Sequence, residues 1–304
     1  LIKEYKKSTS LRRTKTDSVD CESIAHWLMT VEYKPHSKGF YHAYSLKSLT
    51  RLRDKLVRQR SFYLVKITNV LDHTFPEFKP FFHERLSKTA LYLLETYGSA
   101  ERMSRMDSAS YDKLRSLSRG KFSPRQFLRL KELAANTVGV NNSIFDTELN
   151  SLLTLYKSLV KEICILEEEI NRLIREVHPH YMSVPGIGTI SAAVIYSEYG
   201  DISNFSSPAQ MLAFAGIEPG INDSGTESHK GRMVKHGSSQ LRYVLINCCL
   251  PLIRFDMTFA SYYAKKRAEG KPHRVAITHV AKKLVRVIYA LEKQGIDFNA
   301  QKLR

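Results

Sequence analysis

Phe145, Leu149, Leu152, Tyr156, Leu159, Ile163, Leu166, Ile170, Leu173 and Val177 alternate spacings of four and three without a slip. Only a helix turns every third or fourth side chain onto one side, so the pattern predicts one long helix. It lasts about four and a half heptads, past the three to four that separate a coiled coil from chance. Lys157, Lys161, Glu162, Glu167, Glu168, Arg172 and Arg175 flank the seam, as expected of charges bordering a helix pair in water. The partner is either a second copy of the chain or another helix of the same chain in an antiparallel hairpin. Self-association is the expectation, because no other stretch has comparable regularity.

Helical spacing dominates elsewhere. A helix-like run begins near Asp17 and carries Val19, Ile24, Ala25, Trp27 and Leu28; Pro35 and Gly39 follow it. From Leu46 to Leu71 the apolar residues Leu49, Leu52, Leu56, Phe62, Leu64, Ile67 and Leu71 stand mostly three or four apart, as on an amphipathic helix. Its other face holds Lys47, Arg51, Arg53, Lys55, Arg58, Arg60 and Lys66 against Asp54. Such a face either tracks a phosphate backbone or is simply solvated. Residues 81 to 139 read as short helices between Gly98, the Gly120–Pro124 stretch and Gly139, with no assignable chemistry. Helical periodicity returns at 190–199, 208–215, 239–250 and 275–291. No strand alternation of any length is visible, so the chain is expected to be mainly α.

Charge narrows the partners. Lys and Arg number 47 against 30 Asp and Glu, a formal charge of +17 in 304 residues, far more than solubility requires. A polyanion is expected, nucleic acid before an anionic membrane surface. No uninterrupted apolar stretch approaches the roughly 18 residues of a membrane helix, and a soluble, cytoplasmic protein is expected. Cys21, Cys164, Cys248 and Cys249 have neither metal-ligand spacing nor a C-x-x-C pair and are expected to be reduced, buried thiols. The sequence opens on Leu1 with residues that read as the inside of a domain, which points to an N-terminally shortened copy.

Several short motifs bear chemistry. Pro185-Gly186-Ile187-Gly188 before an apolar helix resembles the turn of a helix-hairpin-helix element, where backbone N–H groups and the helix dipole hold a phosphate; a plain helix-start turn is the alternative. Asp17 and Asp20 lie three residues apart, on one side of a helix, where they either share a divalent ion or form an ordinary helix start. The basic run before them, Arg12, Arg13 and Lys15, suits a metal site that receives phosphodiester oxygens. Asp223-Ser224-Gly225 precedes Lys230, Arg232, Lys235, His236 and Arg242. By itself it is a turn; ringed by cations, its hydroxyl is placed for attack on a phosphodiester.

Taken in order, Arg12-Arg13-Thr14-Lys15-Thr16-Asp17-x-x-Asp20, a long helix, Pro185-Gly186-Ile187-Gly188, Ala213-Phe214-Ala215-Gly216-Ile217-Glu218-Pro219, Asp223-Ser224-Gly225, Gly237-x-x-x-Leu241-Arg242 and the Lys271-Pro272 helix resemble the DEDD-type transposases of bacterial insertion sequences, the group numbered one hundred and ten. The resemblance covers nearly the whole chain and is strongest at 11–28 and 180–290.

That resemblance implies residues 1–72 as the C-terminal part of an α/β RuvC-like (RNase H-like) catalytic domain and 73–140 as a helical connector. It further implies 141–179 as a coiled-coil arm and 180–304 as a helical transposase domain with a helix-hairpin-helix-like element. It implies DNA recombination guided by a structured RNA, in a homodimer or higher oligomer, with no membrane. Ser224 matches the nucleophile, and Asp17 and Asp20 match the last two of four acids that hold Mg²⁺ or Mn²⁺. The other two acids belong upstream of Leu1, so this copy is expected to be incomplete. Arg12, Arg13, Lys15, Gly186, Gly188, Lys230, Arg232, Lys235 and Arg242 are the expected nucleic-acid contacts. Acids and serine stand on opposite sides of the arm, which implies a site assembled between protomers. The competing readings are a non-catalytic dimeric nucleic-acid-binding relic and a structure-specific nuclease that uses water in place of Ser224.

Overall fold

The computed structural model describes residues 5, 8, 16–30, 40–83, 86–224 and 227–303. Helix α1 is Asp17–Thr30. The next, α2, runs Phe40–Thr74, and its counterpart across the molecule, α8, is Ser143–Val177. Between them lie the short α3 (Phe78–Phe81), α4 (Lys88–Thr96), α5 (Ala100–Ser104), α6 (Ser108–Leu117) and α7 (Pro124–Ala135). After α8 come α9 (Thr189–Tyr199), α10 (Pro208–Ala215), strands β1 (Pro219–Ser224) and β2 (Glu227–Met233), then α11 (Ser239–Phe255), α12 (Met257–Ala268) and α13 (His273–Gln294). The described chain is mainly α.

The short helices are set by their first residues. Ser87, Ser99, Asp107 and Ser123 each accept a hydrogen bond from a backbone N–H in the first turn, at α4, α5, α6 and α7, the groups a helix start leaves without partners. At α7 the cap is reciprocal: Ser123 serves the Gln126 N–H while Gln126 Oε1 accepts from the Ser123 N–H at 2.8 Å. The seam helix α8 is capped by Asn142, whose Oδ1 accepts from the Ile144 N–H at 2.9 Å. It stops at His178, which takes a left-handed conformation (φ 44°) before Pro179 prevents continuation.

The partner of the seam lies within the chain. Helices α2 and α8 pack antiparallel, with Arg53 on Glu167 near one end and the His73 ring stacked on Phe145 near the other, centroids 5.9 Å apart. Leu149, Ile163 and Ile170 are at most 3% exposed, each burial contributing about 1.5–3 kcal/mol.

Two cores sit at the two ends of this pair. One gathers Ile67, Val70 and Leu71 of α2, Phe75, Phe78, the short helices, and Leu149 and Leu153 of α8. The other gathers Leu46 of α2, Ile170 and Ile174 of α8, and the apolar faces of α9, α11 and α13. In this second core α9 is central, with Ala192, Ala193, Val194, Ile195 and Tyr199 buried, and α13 adds Val280, Ala281, Leu284 and Ile288, packed chiefly with α11 and α12. Between the cores the two-helix span leaves Leu52, Phe62, Val65 and Leu155 facing solvent.

Two expectations need correction. A strand pair exists where none was visible: β1 and β2 are antiparallel, with Asn222 opposite His229 and Ser224 opposite Glu227. Their sequences, PGINDS and ESHKGRM, lack apolar alternation because this two-stranded ribbon is defined by its backbone pairing. Of the cysteines, Cys248 and Cys249 are buried but Cys21 and Cys164 are exposed, because α1 buries none of its residues and Cys164 lies on α8 beside, not in, the seam. Among the described residues no single helix is long and apolar enough to cross a membrane.

Candidate functional site

The β1–β2 hairpin stands on a tightly closed base. Gly216 ends α10 in a left-handed conformation (φ 65°), and a Cβ there would lie 2.2 Å from the His236 carbonyl oxygen. Gly237 (φ 106°) presses against Phe214, where a Cβ would lie 2.1 Å from the carbonyl oxygen. Only glycine tolerates both the backbone angles and the approach. The N–H of Val234 donates to the Glu218 carbonyl at 2.8 Å, and that of Ser238 to Phe214 at 3.3 Å. Arg242 on α11 closes the arrangement, its Nη1 donating to the Ala215 carbonyl at 3.3 Å. Thus the Gly216 and Gly237 segments, far apart in sequence, are one structural unit that fixes where Asp223 and Ser224 emerge.

Ser224 is the last residue of β1, at the tip of this hairpin, opposite Glu227. Lys230 and Arg232 lie on β2, Lys230 opposite Ile221. Lys235 is exposed just beyond β2. Arg12, Arg13 and Lys15 lie outside the described residues.

Asp17 and Asp20 occupy the first turn of α1. The turn is built by Thr16, whose Oγ1 accepts from the Val19 N–H at 3.4 Å and whose carbonyl accepts from the Asp20 N–H at 3.0 Å. Since α1 buries none of its residues, no packed interface among the described residues carries the two acids toward the hairpin. Among the described residues no group of three His, Cys, Asp or Glu is placed to hold a metal. Asp17 and Asp20 supply two oxygen-bearing groups where a divalent ion takes about six ligands, so they do not by themselves fit a complete metal centre.

The two glycines of the hairpin-like turn differ. A Cβ on Gly186 (φ 95°) would lie 2.9 Å from both the Cys248 carbonyl oxygen and Pro251 Cγ, so glycine is required here for packing on α11. Gly188 is exposed, meets nothing within 4 Å, and precedes α9 with no side chain capping the helix. Gly188 thus stands at the open N-terminus of α9, whose first-turn amides have no side-chain cap. Beside that turn a cleft of about 150 Å³ is lined by Thr50, Arg53, Arg58, Ser191, Gln240 and Asn247.

Three cations of the basic face of α2 bind acids of other helices, and a fourth pairs along α2 itself. Lys47 and Arg51 reach Glu198 of α9 at 3.2 and 2.9 Å, Arg53 reaches Glu167, and Arg58 reaches Asp54 at 3.0 Å. Glu198 is 3% exposed. Its burial would push the carboxyl pKa up, but the Arg51 hydrogen bonds and the Lys47 charge hold it below its ordinary value, so it stays ionised. Sequence reasoning missed Glu198; the signal was a lone acid inside the apolar run Ile190–Tyr199, which requires a cation.

Residues 179–264, from the hairpin-like turn through Ser224 to α12, match the family model described as Transposase IS116/IS110/IS902 family. Residues 1–76 match a second model, the DEDD transposase domain of IS110 type, described as a transposase; its DEDD designation implies divalent-metal use in general. The chain is 27% identical over 299 residues to an insertion element IS110 uncharacterized 43.6 kDa protein of Streptomyces coelicolor, covering 94% of this chain and 73% of that protein. It is 26% identical over 288 residues to an insertion element IS900 uncharacterized 42 kDa protein of Mycobacterium paratuberculosis, covering 91% and 71%. With the transposase for insertion sequence element IS1111A of Coxiella burnetii it shares 24% over 295 residues, covering 95% and 68%. Two domain matches in the expected order, joined by relatives that run through both, place the chain in the IS110 family of insertion-sequence transposases.

Proposed function

We propose that this transposase cuts and rejoins DNA through Ser224. The observation that carries the reading is the position of Ser224 at the tip of a hairpin whose base is locked by Gly216, Gly237 and Arg242, within the segment that matches the family. In the reaction Ser224 Oγ bonds to the scissile phosphorus and loses its proton. The bond from phosphorus to one deoxyribose oxygen breaks, and that oxygen leaves as a hydroxyl. The phosphoserine link conserves the ester for attack by a hydroxyl of another strand. Lys230, Arg232 and Arg242 are candidate cations for the charged phosphoryl oxygens. Asp17 and Asp20 would contribute ligands to Mg²⁺ or Mn²⁺, which when bound polarises the phosphate.

DNA is the substrate, a structured guide RNA supplies sequence choice by base pairing, and a homodimer or higher oligomer brings acids and serine together. The +17 charge supports a polyanionic partner, with Arg12, Arg13, Lys15, Lys235 and the Gly188 turn as further contacts. The test is denaturing electrophoresis of the protein with labelled insertion-element ends and the RNA. A covalent protein–DNA adduct is expected from the parent and not from Ser224→Ala; an adduct from Ser224→Ala refutes the assignment. DNA binding without any adduct from the parent identifies a non-catalytic binding protein instead.

A further inference from the structure

A groove at the C-terminal end of the molecule has no part in the chemistry above. Along one side of α13 lie Lys283, Val287, Ala290 and Leu291, facing Tyr262 of α12 and the segment from Ile296 to Asn299, and together they enclose about 510 Å³. The floor is apolar: Val287 and Leu291 are at most 7% exposed, and Phe298 packs on the same core. Lys283 Nζ stands 5.2 Å from the ring centroids of both Phe259 and Tyr262, a cation held at the edge of an aromatic wall. The acid in the groove, Asp297, is engaged by His180 at 3.0 Å.

From the mouth a row of cations continues along α13. Arg286, Lys283, Lys282 and His279 follow at helical spacing, spanning about 10 Å. Lys266 and Lys271 stand close enough to His279 to act on it electrostatically, and share Glu269 at 2.8 and 2.7 Å. Among the described residues no carboxylate lies in ion-pair contact with Arg274, Lys282, Lys283 or Arg286; Glu218 and Asp256 act on Lys282 and Lys283 only from farther away. Burial first, then Lys282, Lys266 and Lys271, hold the His279 imidazole below its ordinary pKa, with Glu269 acting in the opposite sense.

An apolar, aromatic slot opening onto unpaired cations fits an occupant that has a flat ring and flanking anions. Bases inside a duplex are stacked and not free to enter; an unpaired nucleotide offers both features. We propose that the groove holds one unpaired nucleotide of a single DNA strand, its base against Tyr262 and Phe298 and its phosphates on Lys283 and Arg286. This rests on the strand-exchange reading, which supplies transiently unpaired DNA at the protein surface.

The test uses the full chain with fluorescein-labelled oligothymidylate, oligouridylate and a duplex of equal length, read by anisotropy at fixed salt. Ala290→Phe fills the slot and removes no charge; Lys283→Gln with Arg286→Gln removes the phosphate contacts and leaves the slot. Each is expected to weaken oligothymidylate binding about tenfold while duplex binding changes less than about twofold. In the unaltered protein, a 5-iodouracil-bearing strand is expected to photo-crosslink to Tyr262 or Phe298, a readout independent of any variant's folding. Crosslinks elsewhere only, parental oligothymidylate affinity in Ala290→Phe, or tighter oligouridylate binding that Ala290→Phe abolishes would each overturn the proposal. Adduct formation through Ser224 with no strand in the groove would remove this inference alone; a strand in the groove with no adduct would remove the serine reading alone.

Discussion

Arg51 and Glu198, 147 residues apart in sequence, meet in a two-pronged hydrogen bond, Nε to Oε1 at 2.9 Å and Nη2 to Oε2 at 3.2 Å. The carboxylate is buried and the guanidinium half exposed, so α2 is fastened to α9 by a charge pair shielded on one side only.

Replacing Glu198 tests that fastening. Glu198→Ala leaves Arg51 and Lys47 without their acceptor and is expected to lower stability by about 2–3 kcal/mol, seen as a lower urea midpoint at neutral pH.

The same pair predicts a pH dependence. Glu198 has a folded pKa below its ordinary 4.5, so its contribution is fully present above that value and is lost as pH falls through the folded pKa. Melting curves between pH 7 and pH 3 should show the parent losing stability below pH 4.5 more steeply than Glu198→Gln. Parallel curves would mean that another group governs acid unfolding.

Gly186 and Gly188 should separate packing from binding. Gly186→Ala forces a Cβ against Cys248 and Pro251 and is expected to cost more than about 1 kcal/mol. Gly188→Ala meets no atom and should melt like the parent, while DNA affinity falls if the amides beside it hold a phosphate. Unchanged affinity would restrict the turn to a structural role.

The hairpin base gives a fourth measurement. Gly237→Ala sets a Cβ 2.1 Å from the Phe214 carbonyl oxygen, so adduct formation should fall as far as in Ser224→Ala while Ser224 itself is intact. A variant that still forms adducts at the parental rate would show that Ser224 does not depend on this base.

Thiol reactivity checks the packing without nucleic acid. Cys21 and Cys164 are exposed; burial pushes the thiols of Cys248 and Cys249 up from their ordinary pKa, and buried neutral thiols are inert. A chromogenic disulfide should label the first two rapidly and the second two only in denaturant.

Legibility followed the source of each feature's order. The seam helix and the helices 189–199, 208–215 and 239–255 could be read because apolar period and capping residues are local. The seam's partner could not: on α2 the periodic residues Leu52 and Phe62 face solvent at 44% and 57% exposure, which hides the pairing side. The β-hairpin is set by backbone pairing, and the α12–α13 groove by residues from 262 to 299 that meet only after folding. Ser224, Asp17 and Asp20 stood out through family resemblance, since a turn serine and a helix-start acid pair are ordinary when seen alone.

Although α2 and α8 each reach both cores, one core is drawn from a single stretch, Ile67 to Leu153, whereas the other joins Leu46 to residues from Ile170 onward. During synthesis the core around Leu93, Met103 and Leu130 has all its members once Leu153 has left the ribosome, whereas Leu46 waits until Leu291 arrives. The front half of α2 therefore passes most of translation with its apolar side uncovered, which makes it the stretch where a chaperone or a neighbouring nascent chain would bind first.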